Sequence, residues 1–307
     1  MVRIAQVGDV AQVAPALTEA LAEHDVAEFA LPRRGANYHR RLKLLAAPLR
    51  VADALRVASA VRRWHPHVGH VHWLPNGVIG PMLDCPWMLH VHGDDLRTLS
   101  GLRRLIYPRI LALAHAVAVS TPDLLPLAPQ AVWVPVPIPE LDVEAPTKYD
   151  VLVNARAHVE KGSDTAFAAL RLIHDVDPGL RLAALDGPGF EEGPWDRISV
   201  APKPQFHRVL ASSKVIIGQF RAGALGIADL EAMALRRPLI TWVRDVYPLP
   251  PPVTNARTAR EVADAVLAGP TGAGGAEWVQ QTHGRRVVLD ILLPLYDRLR
   301  ARRGMTR

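Results

Sequence analysis

The chain has 307 residues and a mass of 33.6 kDa; 49% are hydrophobic, 21% are charged, and the net charge is +6 with a pI near 9.8. At about 150 residues per domain this is two domains or one large one, long enough to bury a sizeable core. A single cysteine, Cys85, excludes an intramolecular disulfide and any multi-cysteine metal site. No apolar run reaches the ~20 residues that a membrane-spanning helix needs. Asp9 interrupts the first apolar stretch, so no secretory signal is expected. A cytoplasmic location follows as the expectation.

The charge is uneven. Between positions 33 and 63 stand Arg33, Arg34, Arg40, Arg41, Lys43, Arg50, Arg56, Arg62 and Arg63 against Asp53 alone. A second basic excess, Arg298, Arg300, Arg302, Arg303 and Arg307, marks the C-terminus. Such clusters attract phosphorylated substrates or an anionic surface. Peripheral contact with an anionic membrane at its inner face is therefore an expectation; nucleic acid is not.

Strand and helix patterns alternate from the start. Val2–Val7 is an apolar run ending at Gly8, and Val13–Glu23 has helical spacing. Val26–Leu31 reads as a strand, Leu44–Trp64 as a helix, and His67–Leu74 and Trp87–His92 as strands. Leu102–His115 is helical and Ala116–Ser120 a strand. This alternation implies a parallel sheet with crossover helices. At Val134–Pro139 the Val-Pro-Val-Pro-Ile-Pro run cannot be helix and predicts an extended connector, with the charged stretch Glu140–Lys148 after it.

The alternation then restarts. Strands are predicted at Tyr149–Ala155, Arg181–Leu185, Ile198–Ala201, Val215–Phe220 and Leu239–Val243. Helices are predicted at Lys161–His174, Ala228–Leu235, Ala259–Leu267 and, last and longest, Ala276–Arg302. Two open parallel sheets follow, each with its ligand-binding edge at the carboxyl ends of the strands.

Two segments carry phosphate chemistry. In Asn154-Ala-Arg156-Ala-His-Val-Glu-Lys161-Gly162, Arg156 and Lys161 sit in the turn after a strand. They combine a planar fork and a point charge suited to one anion. In Gln219-Phe-Arg-Ala-Gly223-Ala-Leu-Gly226-Ile227-Ala-Asp229-Leu-Glu231-Ala-Met-Ala, a glycine turn opens a helix. Its free N–H groups and dipole favour a phosphate.

Together these segments resemble the donor-binding half of the retaining GT-B glycosyltransferases, and within them glycosyltransferase family 4. Ser120-Thr-Pro-Asp and Glu277-Trp-Val…His283…Leu295-Tyr296 add to the likeness, which spans nearly the whole chain. The resemblance implies an α/β fold of two Rossmann-like domains whose parallel sheets face a central cleft. Residues 1–140 would form the acceptor side, 141–275 the donor domain and 276–307 a closing helix. It implies a metal-independent, retaining transfer of a sugar from a nucleotide-diphosphate sugar to a glycan, lipid or small-molecule hydroxyl, with no cofactor. Arg156 and Lys161 would hold the diphosphate with the backbone of Gly226 and Ile227. Glu231 would hold the ribose, and His92 would stand near the donor sugar. Gly8, Asp9 and Asp94 would lie on the acceptor side. A non-catalytic relative that binds a nucleotide sugar or glycan is the alternative.

Two departures mark this chain. Eight residues before Glu231, where the family carries a second Glu facing the sugar hydroxyls, stands Gly223. Gly8-Asp9-Val10 lacks the paired glycines often found in the first loop. Asp94-Asp95 is not a spaced Asp-x-Asp metal motif, and His65, His67, His70 and His72 have no Cys or carboxylate companions to suggest zinc. No Gly-x-Gly-x-x-Gly opens either half, which argues against a dinucleotide dehydrogenase.

Overall fold

A computed structural model describes residues 1–9, 12–32, 47–101, 103–199 and 201–305. The chain forms two units, Met1–Pro137 with Arg285–Arg307, and Ile138–Gly284. Six of the basic positions singled out above, Arg33, Arg34, Arg40, Arg41, Lys43 and Arg307, lie outside the described residues.

The first unit runs β1 (Arg3–Val7), α1 (Val13–Ala20), β2 (Asp25–Phe29), α2 (Ala47–Trp64), β3 (Val68–His72), β4 (Trp87–Val91), α3 (Asp94–Arg97), α4 (Arg103–Leu113), β5 (Ala116–Val119) and β6 (Val132–Trp133). A 3-10 segment, Leu74–Met82, follows β3. All its strands are parallel, in the order β2-β1-β3-β4-β5-β6. Every residue of β3 and β4 is buried. A parallel sheet covered on both faces normally fills such strands with Val, Ile and Leu. Here β3 reads Val-Gly-His-Val-His and β4 Trp-Met-Leu-His-Val. Polar groups in the middle of a core strand are the first sign of a site.

The second unit runs β7 (Tyr149–Val153), α5 (Ser163–Val176), β8 (Leu182–Leu185), β9 (Asp196–Ile198), α6 (Lys203–Ala211), β10 (Ser213–Ile217), α7 (Ile227–Ala234), β11 (Leu239–Thr241), β12 (Thr254–Asn255), α8 (Ala259–Leu267) and α9 (Gly275–His283). Its parallel strands are ordered β12-β11-β10-β7-β8-β9. Helix α5 buries Ala166, Phe167, Leu170 and Ile173, the i, i+1, i+4, i+7 stripe of an amphipathic helix. Thr258 and Glu261 cap α8 reciprocally, Glu261 N–H to Thr258 Oγ1 at 3.3 Å and Thr258 N–H to the Glu261 carboxylate at 3.0 Å.

The elements differ from the sequence reading in four respects. The last helix is two, α9 and α10 (Arg285–Met305), because Gly284 takes φ −63° and ψ 150°, outside the helical region. Helix α6 was not expected; Pro204 near its start and apolar Phe206, Val209 and Leu210 behind it were its signals. The strand predicted at Ile198–Ala201 lies earlier, at Asp196–Ile198, where it pairs with β8. The edge strands β6 and β12 have only two residues each, too short for periodicity to register. Among the described residues no helix is long and apolar enough to cross a membrane.

The core of the second unit offers a direct test. Phe167 has no exposed surface and packs against Trp195 and Phe190 with ring centroids 5.6 and 5.5 Å away. Phe167→Ala should cost about 3–5 kcal/mol, from lost transfer energy plus a cavity. Urea unfolding checks this, and a loss below about 1 kcal/mol would mean that the ring is not a keystone.

Candidate functional site

Each sheet reverses its order of growth at one place, between β1 and β3 in the first unit and between β7 and β10 in the second. Ligands of doubly wound sheets bind at the carboxyl ends of strands at that point. The second unit holds a cavity of about 250 Å³ there. Asn154, Ala155 and Arg156 border it from the end of β7, Gln219 from the end of β10, and Gly226 to Asp229 from the start of α7. Lys161 completes the polar wall.

Each group has a local cause. Gly162 follows Lys161 with φ +75° and lies so close to β10 that a Cβ would meet Phe220 Cβ at 2.9 Å. Only glycine suits both conditions. Phe220 N–H donates to Lys161 O at 2.9 Å, which pins the turn to the strand end. The Lys161 ammonium then reaches Gln219 Oε1 at 3.0 Å, and the Gln219 amide donates to Ala224 O. Arg156 is exposed at the mouth.

Helix α7 carries two buried carboxylates, and they are treated differently. Asp229 accepts from Gly226 N–H at 2.8 Å. Burial pushes its pKa up to about 6, against the opposing pull of Gly226 N–H, the Asn154 amide and Lys161. Glu231 meets Lys203 Nζ at 3.0 Å and His207 Nε2 at 3.3 Å, both from α6. Gly223 and Glu231 are not among the residues that line the cavity. Gly223 has φ +67°, and Arg244 packs over it, with Cγ 2.7 Å from where a Cβ would sit. A guanidinium thus lies beside the position at which the resembling family has a carboxylate.

The first unit gathers the other residues. His92 is half-buried after β4. Its Nδ1 lies 2.6 Å from Ser120 Oγ and its Nε2 3.1 Å from His72 Nδ1. These bonds belong to a longer chain. Tyr296 of α10 meets His70 Nδ1 at 2.7 Å, His70 Nε2 meets His90 Nδ1 at 3.2 Å, and His90 Nε2 meets Ser120 Oγ at 3.1 Å. At the far end His72 Nε2 meets Gln6 Oε1 at 2.6 Å. A carbonyl oxygen only accepts, so His72 donates through Nε2 and accepts through Nδ1. The same logic passes along every link. All four histidines are neutral Nε2–H tautomers, and Tyr296 O–H opens the chain.

Charge agrees with this bonding. Burial, and then the neighbouring imidazoles, hold His70, His72 and His92 well below the ordinary histidine range. His90 is lowered to about 4 by burial, opposed by its bond to the Val134 backbone. His70, His72 and His90 bring nitrogens within 4.8 Å of one another, a spacing that three metal ligands can share. The rings are instead paired in two near-coplanar sets, His70 with His90 and His72 with His92, each at 14°. Such pairs aim their inner nitrogens at each other, as N–H···N bonds require.

The remaining acceptor-side residues have structural partners. Asp9 accepts from Gln12 N–H at 3.2 Å and Ala14 N–H at 3.0 Å, which caps α1. Gly8 has φ +73°, and a Cβ there would meet Asn76 Nδ2 at 2.5 Å. Asp94 is exposed and pairs with Arg97 at 3.6 Å, while its neighbour Asp95 is buried and accepts from Leu74 and Gly93 N–H, both at 2.8 Å. The sequence reading missed Gln6, His90, Lys203 and His207, and it named His70 and Gln219 without giving either its role here. Only the i, i+2 histidine spacing in two adjacent strands could have signalled the chain.

No family model matches the sequence, and no curated protein does. Solved structures do match. Sucrose-phosphate synthase from Thermosynechococcus elongatus superposes with a TM-score of 0.71 at 16% identity, covering 97% of this chain and 99% of that one. AviGT4, a glycosyltransferase involved in avilamycin A biosynthesis, gives 0.65 at 14% identity, with 98% of each chain covered. The lipopolysaccharide outer core galactosyltransferase WaaB gives 0.61 at 13%, covering 94% and 97%. The fold is that of the GT-B glycosyltransferases. At these identities the likeness speaks for the fold alone.

Two titrations follow from this GT-B scaffold. His90 is protonated near 6.5 when unfolded but only near 4 when folded. Stability is therefore full above pH 6.5 and declines as the pH falls, by about 3 kcal/mol at pH 4 through this one group. Denaturant titrations at pH 7 and 4 measure it, and His90→Gln should flatten the dependence. Asp229 has the opposite sign: its raised pKa favours folding at low pH, and that contribution is lost as the pH rises through 6. Asp229→Asn should therefore raise the melting temperature relative to wild type at pH 8 and not at pH 4. An equal shift at both would show that the carboxylate is not perturbed.

Proposed function

We propose that the chain is a retaining, metal-independent glycosyltransferase of hexosyl type that takes its sugar from a nucleoside-diphosphate donor. The observation that carries this reading is the cavity at the β7–β10 reversal. There Arg156, Lys161 and the N-terminus of α7 border one pocket. Two cations and free helix N–H groups form a preorganised anion site, aimed at the charge that develops on a leaving diphosphate. The GT-B fold supports sugar transfer as the reaction class.

Several features fit a diphosphate in particular. Asp229 borders the same cavity, and its raised pKa brings protonation within reach of a small further shift when an anion sits beside it. An incoming phosphate should raise that pKa further, so donor binding should take up a proton near pH 6. Lys161 is already oriented by Gln219, which lowers the entropy lost on binding. Glu231 takes the ribose role only from the family resemblance, since its side chain is buried against α6, 3.0 Å from Lys203 Nζ, and outside the cavity lining. With retention, the acceptor hydroxyl attacks on the face that the diphosphate leaves, and a diphosphate oxygen takes its proton. No protein nucleophile is required. His92 has both nitrogens engaged inside the first unit, which suits a positioning contact and not a proton carrier.

Arg156→Ala and Lys161→Ala each remove a charge-assisted contact, worth about 1.5–3 kcal/mol. UDP and GDP affinity by calorimetry should fall at least tenfold in each variant. If both variants bind as wild type does, the donor pocket is elsewhere.

A further inference from the structure

One buried polar side chain at the cavity of the second unit has no partner. Asn154 is 1% exposed, and neither its Oδ1 nor its Nδ2 meets a hydrogen-bond partner in the protein. It borders the cavity together with Lys161, Gln219, Gly226 and Asp229. Its backbone is fixed, since its N–H donates to Ile217 O at 3.0 Å. By contrast Gln219 joins Lys161 to Ala224 O, and Asp229 Oδ2 accepts from Gly226 N–H at 2.8 Å. An unmade hydrogen bond in the interior costs stability, and Asn154 leaves both a donor and an acceptor open. An amide kept there at that cost points to a ligand.

Its neighbour Asp229 shows what that ligand must supply. Register sets Ile217 of β10 beside Val153 of β7, so Gly218 follows one as Asn154 follows the other. A Cβ at Gly218 would stand 2.6 Å from Asp229 Oδ1, so the glycine gives that oxygen its place over the strand ends. The Asn154 amide is close enough to pull on the carboxyl, as is Lys161 from the turn before α5 and the Gly226 N–H of its own helix. Glu231 turns instead to Lys203 and His207 of α6, and α9 meets α7 further on, with Gly275 against Met233. One end of an amide donates and the other accepts. An ionised carboxylate only accepts, so it draws Nδ2 and leaves Oδ1 to the cavity, where it repels an anion. A protonated carboxyl donates to Oδ1 and leaves the Nδ2 hydrogens to the cavity, where they attract one.

We propose that Asn154 is an anion-binding residue whose amide couples capture of a phosphate group at the N-terminus of α7 to uptake of one proton by Asp229. In the bound state Nδ2 donates to a phosphate oxygen, and the protonated Asp229 carboxyl donates to Oδ1; the proton comes from solvent. Both open ends of the amide are then satisfied at once. That the phosphate belongs to a nucleotide sugar rests on the glycosyltransferase reading above; the coupling does not. The sign follows from linkage. Affinity is greatest where Asp229 is already protonated, and it weakens by up to about tenfold per pH unit above about pH 6.

Sulfate and UDP-glucose serve as probes on the full chain, because neither gains or loses a proton between pH 5 and 8. Wild type should bind each at least threefold more weakly at pH 8 than at pH 6. Calorimetry of UDP-glucose at pH 6.5, in two buffers of different ionisation enthalpy, should show proton uptake. Asp229→Asn, whose amide donates to Oδ1 at any pH, should bind at pH 8 at least as tightly as wild type does at pH 6, without a proton. Asn154→Leu removes an unsatisfied group, so it should melt no lower than wild type. It should bind both probes at least tenfold more weakly, with less than a twofold difference between the two pH values. A leucine variant that keeps the wild-type pH dependence would show that charge alone links the anion to Asp229, and would overturn the proposal. So would the same dependence in Asp229→Asn. UDP-glucose bound by wild type without a proton would overturn it too and leave the donor reading standing. Proton-coupled sulfate binding that is lost in Asn154→Leu, with no affinity for UDP-glucose, ADP-glucose or GDP-mannose, would refute the donor reading and leave the coupling in place.

Discussion

The structure depends on a rule of chain topology. Crossovers between parallel strands are right-handed, so a sheet that grows first one way and then the other must send successive helices to opposite faces. At the point of reversal the two crossovers diverge and leave the carboxyl ends of two central strands open. This chain does so twice, at β1–β3 and at β7–β10, and a cavity stands at each. Neither opening is made by the residues that line it. The sequence only decides what chemistry occupies an opening that the fold supplies. In the second unit that chemistry is cationic.

The same topology explains how a core can contain four histidines. Strands β3 and β4 are central and covered on both faces, so any polar side chain there must find a partner within the sheet layer. Register sets His72 directly beside His90, and the two-residue period puts His70 and His92 on the same face. Stacked imidazoles 4.4 Å apart along β3, and bonded pairs across to β4, satisfy one another only if all stay neutral. The Gln6 carbonyl oxygen, which only accepts, and the Tyr296 hydroxyl, which donates to His70, give the chain one direction. Burial alone would make each histidine a liability. Bonded head to tail they become a rigid strut that links β1, β3, β4, β5 and α10, and that fixes the ring of His92.

Much of this was legible in the sequence, because it rests on periodicity and on turn chemistry. The strand–helix alternation gives both parallel sheets, and the Arg156…Lys161-Gly162 turn and the glycine that opens α7 at Gly226 lie at one cavity. What stayed hidden depends on contacts distant in sequence. Lys203 and His207 reach Glu231 from a helix whose own pattern is weak. Tyr296 meets His70 across 226 residues. The break at Gly284 was missed because the apolar period runs on through it, while the backbone does not.

Helix α7 shows how one element serves two kinds of neighbour. Asp229 and Glu231 are two positions apart, which places them on nearly opposite sides of the helix. One side borders the cavity, and there the carboxyl is buried with its pKa raised toward neutrality. The other side meets α6, and there the carboxylate pairs with a lysine and a histidine. An ionised acid on the cavity side would oppose an anion at the helix N-terminus; a protonated one would not. On the α6 side an unpaired acid would destabilise the core, and the paired one ties two helices together. The helix dipole favours negative charge at its first turn whatever its source. With its pKa near 6, Asp229 is mostly ionised at pH 7 and itself meets part of that preference, so an anion at the N-terminus of α7 would favour its protonation.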